Sequence, residues 1–208
     1  ADGNSISARV QVIDTVQHDV VATIPLDNGS TGLRGICMSP DGCYAYVTGV
    51  LGHYQLPTTQ LLRGWMNNNI LAIIDMKTHR LAETVLMDDL DLGAANPWGV
   101  TCSDDGSLLA VSHAGTNEVS LIDRIRLHEK CEQRANEPHA IPVVEDLTFL
   151  AGLRRRVALA GIGPRGLTLA GGRLITVEYF SDSVGVIELA TASPLAAPMR
   201  NHNISLGE

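Results

Sequence analysis

Arg34-Gly35-Ile36 up to Ser39-Pro40-Asp41-Gly42, Trp98-Gly99-Val100 up to Ser103-Asp104-Asp105-Gly106, and Arg165-Gly166-Leu167 up to Ala170-Gly171-Gly172 are one phrase written at three places in the chain. Each copy climbs into a strand-favouring run: Tyr44-Ala45-Tyr46-Val47-Thr48, Leu108-Leu109-Ala110-Val111-Ser112, and Leu174-Ile175-Thr176-Val177-Glu178. A further run then ends in an acid, at Ile73-Ile74-Asp75, Leu121-Ile122-Asp123 and Val186-Ile187-Glu188. A fixed order of elements repeated along a chain means one supersecondary unit stacked on copies of itself.

Within a unit, Pro-Asp-Gly or Asp-Gly supplies the positive φ of a tight hairpin between the first two strands, and β-branched residues favour the strands themselves. A fourth strand such as Leu81 to Leu86 completes an antiparallel meander. Val12-Ile13-Asp14-Thr15 through Ile24 aligns without a gap on Ile73-Ile74-Asp75-Met76 through Val85, so the N-terminal segment is the second half of a unit. His18 and His79 fall on equivalent turns of separate units and read as solvent-exposed turn residues rather than a metal pair. Ile36, Cys37 and Met38, or Val100, Thr101 and Cys102, give neither face a polar character, as expected of sheets covered on both sides. The fold expected is all-β: a β-propeller of four-stranded antiparallel blades, with an outer half-blade at 6–26 and blades at approximately 33–87, 98–160 and 165–206 of a single domain, 1–208. A ring closes with roughly six to eight blades, so three and a half make an arc whose complement lies in further sequence or a partner chain.

Tyr46-Val47-Thr48-Gly49, following Ser39-Pro40-Asp41-Gly42, resembles the YVTN-type β-propeller repeat, with Gly49 where that family has Asn. The resemblance covers residues 6 to about 189 and implies fold more than function, since such propellers serve as surface proteins, binding modules and partners of redox domains. A narrower likeness lies in His53 to Asn67, Gly93 to Gly99 and Gly152 to Arg156. Together these are similar to bacterial proteins whose propeller is followed by a di-haem cytochrome c peroxidase-like domain. That resemblance implies haem in a partner domain, and no haem ligand transfers onto these residues.

Composition narrows the partners. With 23 acidic against 15 basic side chains, a formal charge of -8 disfavours nucleic acid and anionic membrane surfaces. No apolar run has the length of a membrane span. Ala1-Asp2-Gly3-Asn4 has no signal-peptide character, so either a signal was removed or the sequence starts inside a longer chain. The cysteines lack metal or covalent-haem spacing. Cys37 and Cys43 flank one predicted hairpin, which offers a local disulfide in an oxidising compartment; small buried thiols are the commoner outcome.

The candidate site is the face where first strands begin and where the second-to-third strand connections return. Arg34, Trp98 and Arg165 lead into first strands there, and two guanidiniums with an indole between them can hold an anion or a carboxylate. The alternative is that each arginine only closes one blade on the next. His113 and Tyr179 are aligned at second-strand ends, and His113 is the one candidate base or ligand. The insertion after Gly49 adds His53, Tyr54, Arg63 and Trp65, the residue types of a docking surface, or of a loop folded over its own scaffold. Arg124 to Gly152 should leave by the opposite face as a solvated, helix-compatible connector, with His128, Cys131 and His139 too irregularly spaced for a metal site. Arg154-Arg155-Arg156 reads as edge charge against aggregation, or as a dock for an acidic partner.

The function expected is a non-catalytic scaffold or recognition module of an exported bacterial protein, periplasmic or extracellular, docking a c-type cytochrome or peroxidase-like domain. No cofactor is expected in this chain. The competing readings are a lactonase-type propeller enzyme working in the channel near Arg34, His113 and Arg165, and a surface-layer or adhesion module.

Overall fold

The computed structural model describes residues 6–54, 66–189, 195 and 200–206. β1 (Arg9–Asp14) and β2 (Asp19–Pro25) form a two-stranded sheet, the outer half of a blade. The first full blade joins β5 (Tyr44–Gly52), β6 (Asn67–Asp75) and β7 (Arg80–Leu86) to an inner strand broken into β3 (Ser30–Thr31) and β4 (Ile36–Met38). The second contains β8 (Pro97–Cys102), β9 (Leu108–His113), β10 (Glu118–Asp123) and β11 (Arg154–Ala158). The third contains β12 (Pro164–Ala170), β13 (Arg173–Glu178), β14 (Ser183–Glu188) and β15 (Arg200–Ser205). All pairings are antiparallel, so the chain is a β-propeller arc of three blades and the outer half of another.

The equivalence of half-blade and first blade extends to irregularities. A bulge falls between Val12 and Ile13 in one and between Ile73 and Ile74 in the other. Asp14 accepts from the backbone of Val16 and Gln17, as Asp75 does from Lys77 and Thr78, and His18 and His79 then take left-handed φ values of 60° and 51°. Both histidines therefore end the same Asx-type turn on separate blades.

Blades stack face to face through alternating residues. Ala45, Val47, Ala72 and Ile74 meet Ile24, Leu26 and the half-blade, whereas Tyr46, Leu71 and Ile73 point the other way against Val100, Leu109, Val111 and Ile122. Leu108, Ala110, Val119 and Leu121 then meet Leu174 and Ile187 of the third blade. A strand buried on both faces has no reason to alternate apolar with polar, which is why the sequence does not.

The connector after β10 is not a solvated strap. Asp123 caps α1 (Arg124–Ala135) by accepting from the Arg126 N–H, and Leu127 of α1 is fully buried with Val143, Phe149 and Leu150 in the core between the first two blades. His128 stacks on Tyr44 at 4.2 Å and its Nε2 accepts from the Tyr46 hydroxyl at 2.7 Å, while Cys131 packs against the same core. Burial beside the Arg124 guanidinium lowers His128 to about 4, and burial pushes Cys131 up to about 12. A neutral imidazole and a protonated thiol are thus built into the packing.

The basic run on β11 is likewise consumed internally. Arg154 and Arg156 converge on Asp89, Arg156 also pairs with Glu118, and Arg154 donates to the Met87 carbonyl. Their side chains are only 4% and 11% exposed, so neither is edge charge or a dock for an acidic partner. Stripping the carboxylate from buried guanidiniums leaves uncompensated charge. Asp89→Asn should lower stability by about 2 kcal/mol, less than a fully buried pair would lose because Asp89 is partly exposed and Glu118 remains. Urea unfolding with an unchanged slope checks this; a midpoint equal to the parent's would contradict it.

Candidate functional site

One small device joins each blade to the next at the start of the inner strand. The Thr48 hydroxyl accepts from the Gly35 N–H at 2.9 Å and donates to the Trp98 carbonyl of the following blade at 2.7 Å. Ser112 repeats this, accepting from the Gly99 N–H at 2.9 Å and donating to the Arg165 carbonyl at 3.0 Å. The glycine makes the approach possible: a Cβ on Gly35 would collide with the Trp98 carbonyl, and one on Gly99 would lie 2.5 Å from that of Arg165. The dipeptides Arg34-Gly35 and Trp98-Gly99 therefore each hold a rim residue followed by a contact that admits no side chain.

That contact sets the rim residues one blade apart, and their side chains stack. The Arg34 guanidinium carbon lies 4.0 Å from the Trp98 ring centroid and that of Arg165 lies 4.3 Å from it. Trp98 sits on the middle blade, and the two cations packed against its indole are no more than about 8 Å apart. Arg165 also lies 3.9 Å from the Tyr179 ring, and Tyr179 meets Phe180 edge-on at 5.1 Å. Among the described residues neither Arg34 nor Arg165 has a carboxylate within ion-pair distance, and the buried Nε of Arg165 has no hydrogen-bond partner. At an effective dielectric near 20 the two charges repel by about 2 kcal/mol. Surface cation–π contacts contribute about 0.5–1 kcal/mol each, so the stack is near balance.

Four of the residues expected at this face, Arg34, Trp98, Arg165 and Tyr179, are thus brought together, and His113 is not. His113 is completely buried: its Nδ1–H donates to the Ala94 carbonyl at 3.0 Å and its Nε2 accepts from the Ser120 hydroxyl at 2.8 Å. Burial first, then Arg154 and Arg156, lowers it to about 3. With both nitrogens engaged it lines no channel. Register also corrects its alignment. Pro97 faces His113 and Pro164 faces Glu178, so Glu178, not Tyr179, is its counterpart, and Gly49 holds that place in the first blade.

Glu178 occupies a hole left by Gly161 and Gly185, where a Cβ on either would strike its carboxylate. Its Oε2 accepts from Ser183 at 2.6 Å and Asn203 at 2.8 Å, while Oε1 has no partner among the described residues. Nothing in the repeated phrase announced this carboxylate; the glycines at 161 and 185 were its only trace.

His53 and Tyr54 stand at the root of the insertion. The His53 Nε2 is 2.7 Å from Asn68 Oδ1 and the Tyr54 hydroxyl donates to Asn28 at 2.8 Å, so both hold the loop base. Arg63 and Trp65 lie outside the described residues. The disulfide between Cys37 and Cys43 is not formed; both are free thiols. Cys37 faces Tyr46 in the β4–β5 register, which sets it three positions along the strand from the residue facing Cys43, or about 10 Å, beyond a disulfide's reach. Burial and the neighbouring Cys102 push Cys37 up to about 12. A cleft of about 380 Å³ lies between the Ser103–Leu108 turn and Leu169–Arg173, at the opposite end of the blades from the stack.

The molecule is therefore, by fold and by rim, an arc of a β-propeller whose inner strands present a stacked cationic and aromatic edge. Its relatives are consistent with that class. It is 27% identical over 195 residues to hydrazine synthase subunit beta of Kuenenia stuttgartiensis, a match spanning 89% of this chain and 48% of the relative. The solved structure of Kuenenia stuttgartiensis hydrazine synthase superposes with a TM-score of 0.78 at 25% identity, over 90% of this chain and 53% of that one. Two further structures share the fold alone. A functionally unknown protein from Desulfotomaculum acetoxidans DSM 771 has a TM-score of 0.53 at 14% identity, over 91% of this chain and 46% of that one. The dihydro-heme d1 dehydrogenase NirN in complex with DHE has a TM-score of 0.53 at 15% identity, over 96% of this chain and 33% of that one. No protein-family profile matches the chain. It spans about half the length of the hydrazine synthase chain it resembles.

Proposed function

We propose that this arc is a non-catalytic scaffold within a larger propeller of an exported bacterial protein, and that the completed propeller docks a c-type cytochrome or peroxidase-like redox domain. The observation that carries the first half is the unfinished joint on the third blade. Gly166 stands where Gly35 and Gly99 stand, yet a Cβ on it would meet nothing nearer than Val177 at 3.8 Å, and Val177, at the place of Thr48 and Ser112, is 50% exposed. Ile13, Val20 and Val21 leave apolar surface at the other end, on a half-blade whose β1 has a strand partner on one side only among the described residues. Both ends are shaped to receive another blade.

Resemblance to a redox-associated propeller and to the YVTN-type repeat supports the second half, and with it an exported location and haem held by a separate domain. No helix among the described residues is long and apolar enough to cross a membrane. The enzyme reading is disfavoured because the base it needs, His113, has both nitrogens engaged.

Gly166→Ala in the full-length gene product tests the joint. If a fourth blade packs there, the substitution destabilises the protein by about 2–3 kcal/mol, as expected of overpacking. A near-neutral change would sink the proposed joint. Absorbance near the haem Soret band in the same protein tests the redox partner in cis.

A further inference from the structure

We propose that the Arg34–Trp98–Arg165 stack is a binding site for a ligand bearing two carboxylates, each received by one guanidinium. This does not depend on the scaffold reading. Five other arginines are neutralised within the chain: Arg124 by Asp41, Arg134 by Asp146, Arg154 and Arg156 by Asp89, and Arg173 by Glu188. At the stack, two guanidiniums packed against one indole have no acid within ion-pair distance among the described residues, in a chain of net charge -8.

Stacking occupies the faces of a guanidinium and leaves its five N–H donors, all in its plane, for other partners. In Arg165 one of those donors, Nε, is buried with no acceptor among the described residues, an exception among buried polar groups that an incoming acceptor would satisfy. The fork matches a carboxylate bidentately. With the indole between the two blades' arginines and their forks no more than about 8 Å apart, two carboxylates on one skeleton can engage both forks bidentately, one each. Trp98 and Tyr179 supply the apolar border along which that skeleton would lie.

The carboxylate pair can belong to a free dicarboxylic acid or to two acidic side chains of a docking protein, and the probes separate these. Isothermal titration of the full-length protein at constant ionic strength uses adipate, butyrate and sulfate, and a helical peptide carrying two glutamates four residues apart. Adipate or the peptide should bind saturably at least tenfold more tightly than butyrate or sulfate, and whichever of the two is tighter identifies the source. Arg34→Gln and Arg165→Gln should each weaken that binding at least tenfold, while Arg173→Gln leaves it unchanged. Arg34 is exposed, so its loss does not threaten the fold. Equal affinity for butyrate and adipate with no stronger binding of the peptide, or an unaltered affinity in Arg34→Gln, overturns the proposal.

Discussion

Gly99→Ala is expected to destabilise the protein by about 3 kcal/mol, with Gly35→Ala close behind, although each adds a single methyl group. The reason is what the methyl would meet. On Gly99 it would stand 2.5 Å from the Arg165 carbonyl, 2.9 Å from Leu167 Cδ2 and 3.3 Å from the Ser112 hydroxyl. A backbone carbonyl cannot rotate aside as the tip of a flexible side chain can, so the second and third blades must separate. Separation also breaks the relay in which Ser112 accepts from Gly99 and donates to Arg165, leaving polar groups between the sheets without partners. On Gly35 the corresponding obstacle is the Trp98 carbonyl, with the Val100 nitrogen at 3.1 Å. The general gain from replacing glycine, about 0.4–1 kcal/mol through the unfolded chain, is too small to compensate. Urea unfolding checks both variants, and a midpoint within error of the parent for Gly99→Ala would refute the tight-joint account. Loss of stability should be accompanied by loss of the stack, since the same carbonyl positions Arg165 over Trp98.

How much of this was legible in the sequence depends on the range of the interaction. Repeats, hairpin turns and the half-blade are carried by local spacing, and they gave the fold and its three and a half blades. The rim residues were also visible, because Arg34, Trp98 and Arg165 hold one position of the repeat. The joint was not, although its signal is short: a hydroxyl at Thr48 and Ser112 inside otherwise apolar strands, each paired with a rim glycine. Aligning the second strands by their first residues misplaces Tyr179 by one against His113, because the third hairpin is shorter, with Leu167 facing Thr176 where Val100 faces Val111. Helix α1 looked solvated because its own faces are largely charged; its burial depends on Val143 and Phe149, which close over it from further along the chain. Arg154 and Arg156 looked free for the same reason, their acids lying far away at Asp89 and Glu118.

Acid should weaken the fold well before its carboxylates titrate, and His113 is the group responsible. Its value falls from 6.5 in the unfolded chain to about 3 in the folded one, driven mainly by burial. The folded state therefore binds fewer protons than the unfolded state throughout that interval. Stability is complete above pH 6.5 and is lost as pH falls toward 3, at about 1.4 kcal/mol per unit, or about 3 kcal/mol by pH 4.5. His128, lowered for the same reason and by Arg124, acts in the same direction. Asp14, Asp41, Asp75, Asp105 and Asp146 are held below their ordinary value of 3.8 by hydrogen bonds, so they contribute to the loss only at lower pH. Glu83, raised by burial, works the opposite way. Unfolding free energies measured between pH 7 and 4.5 should fall steeply in the parent and less steeply in His113→Gln, which keeps a donor and an acceptor but no proton to gain. Identical slopes would remove His113 from the account. The consequence reaches the rim: His113 ties β9 to Ala94, four residues before Trp98, and a charged imidazole can no longer accept from Ser120. Protonation would thus release the segment that carries the indole on which both arginines stack.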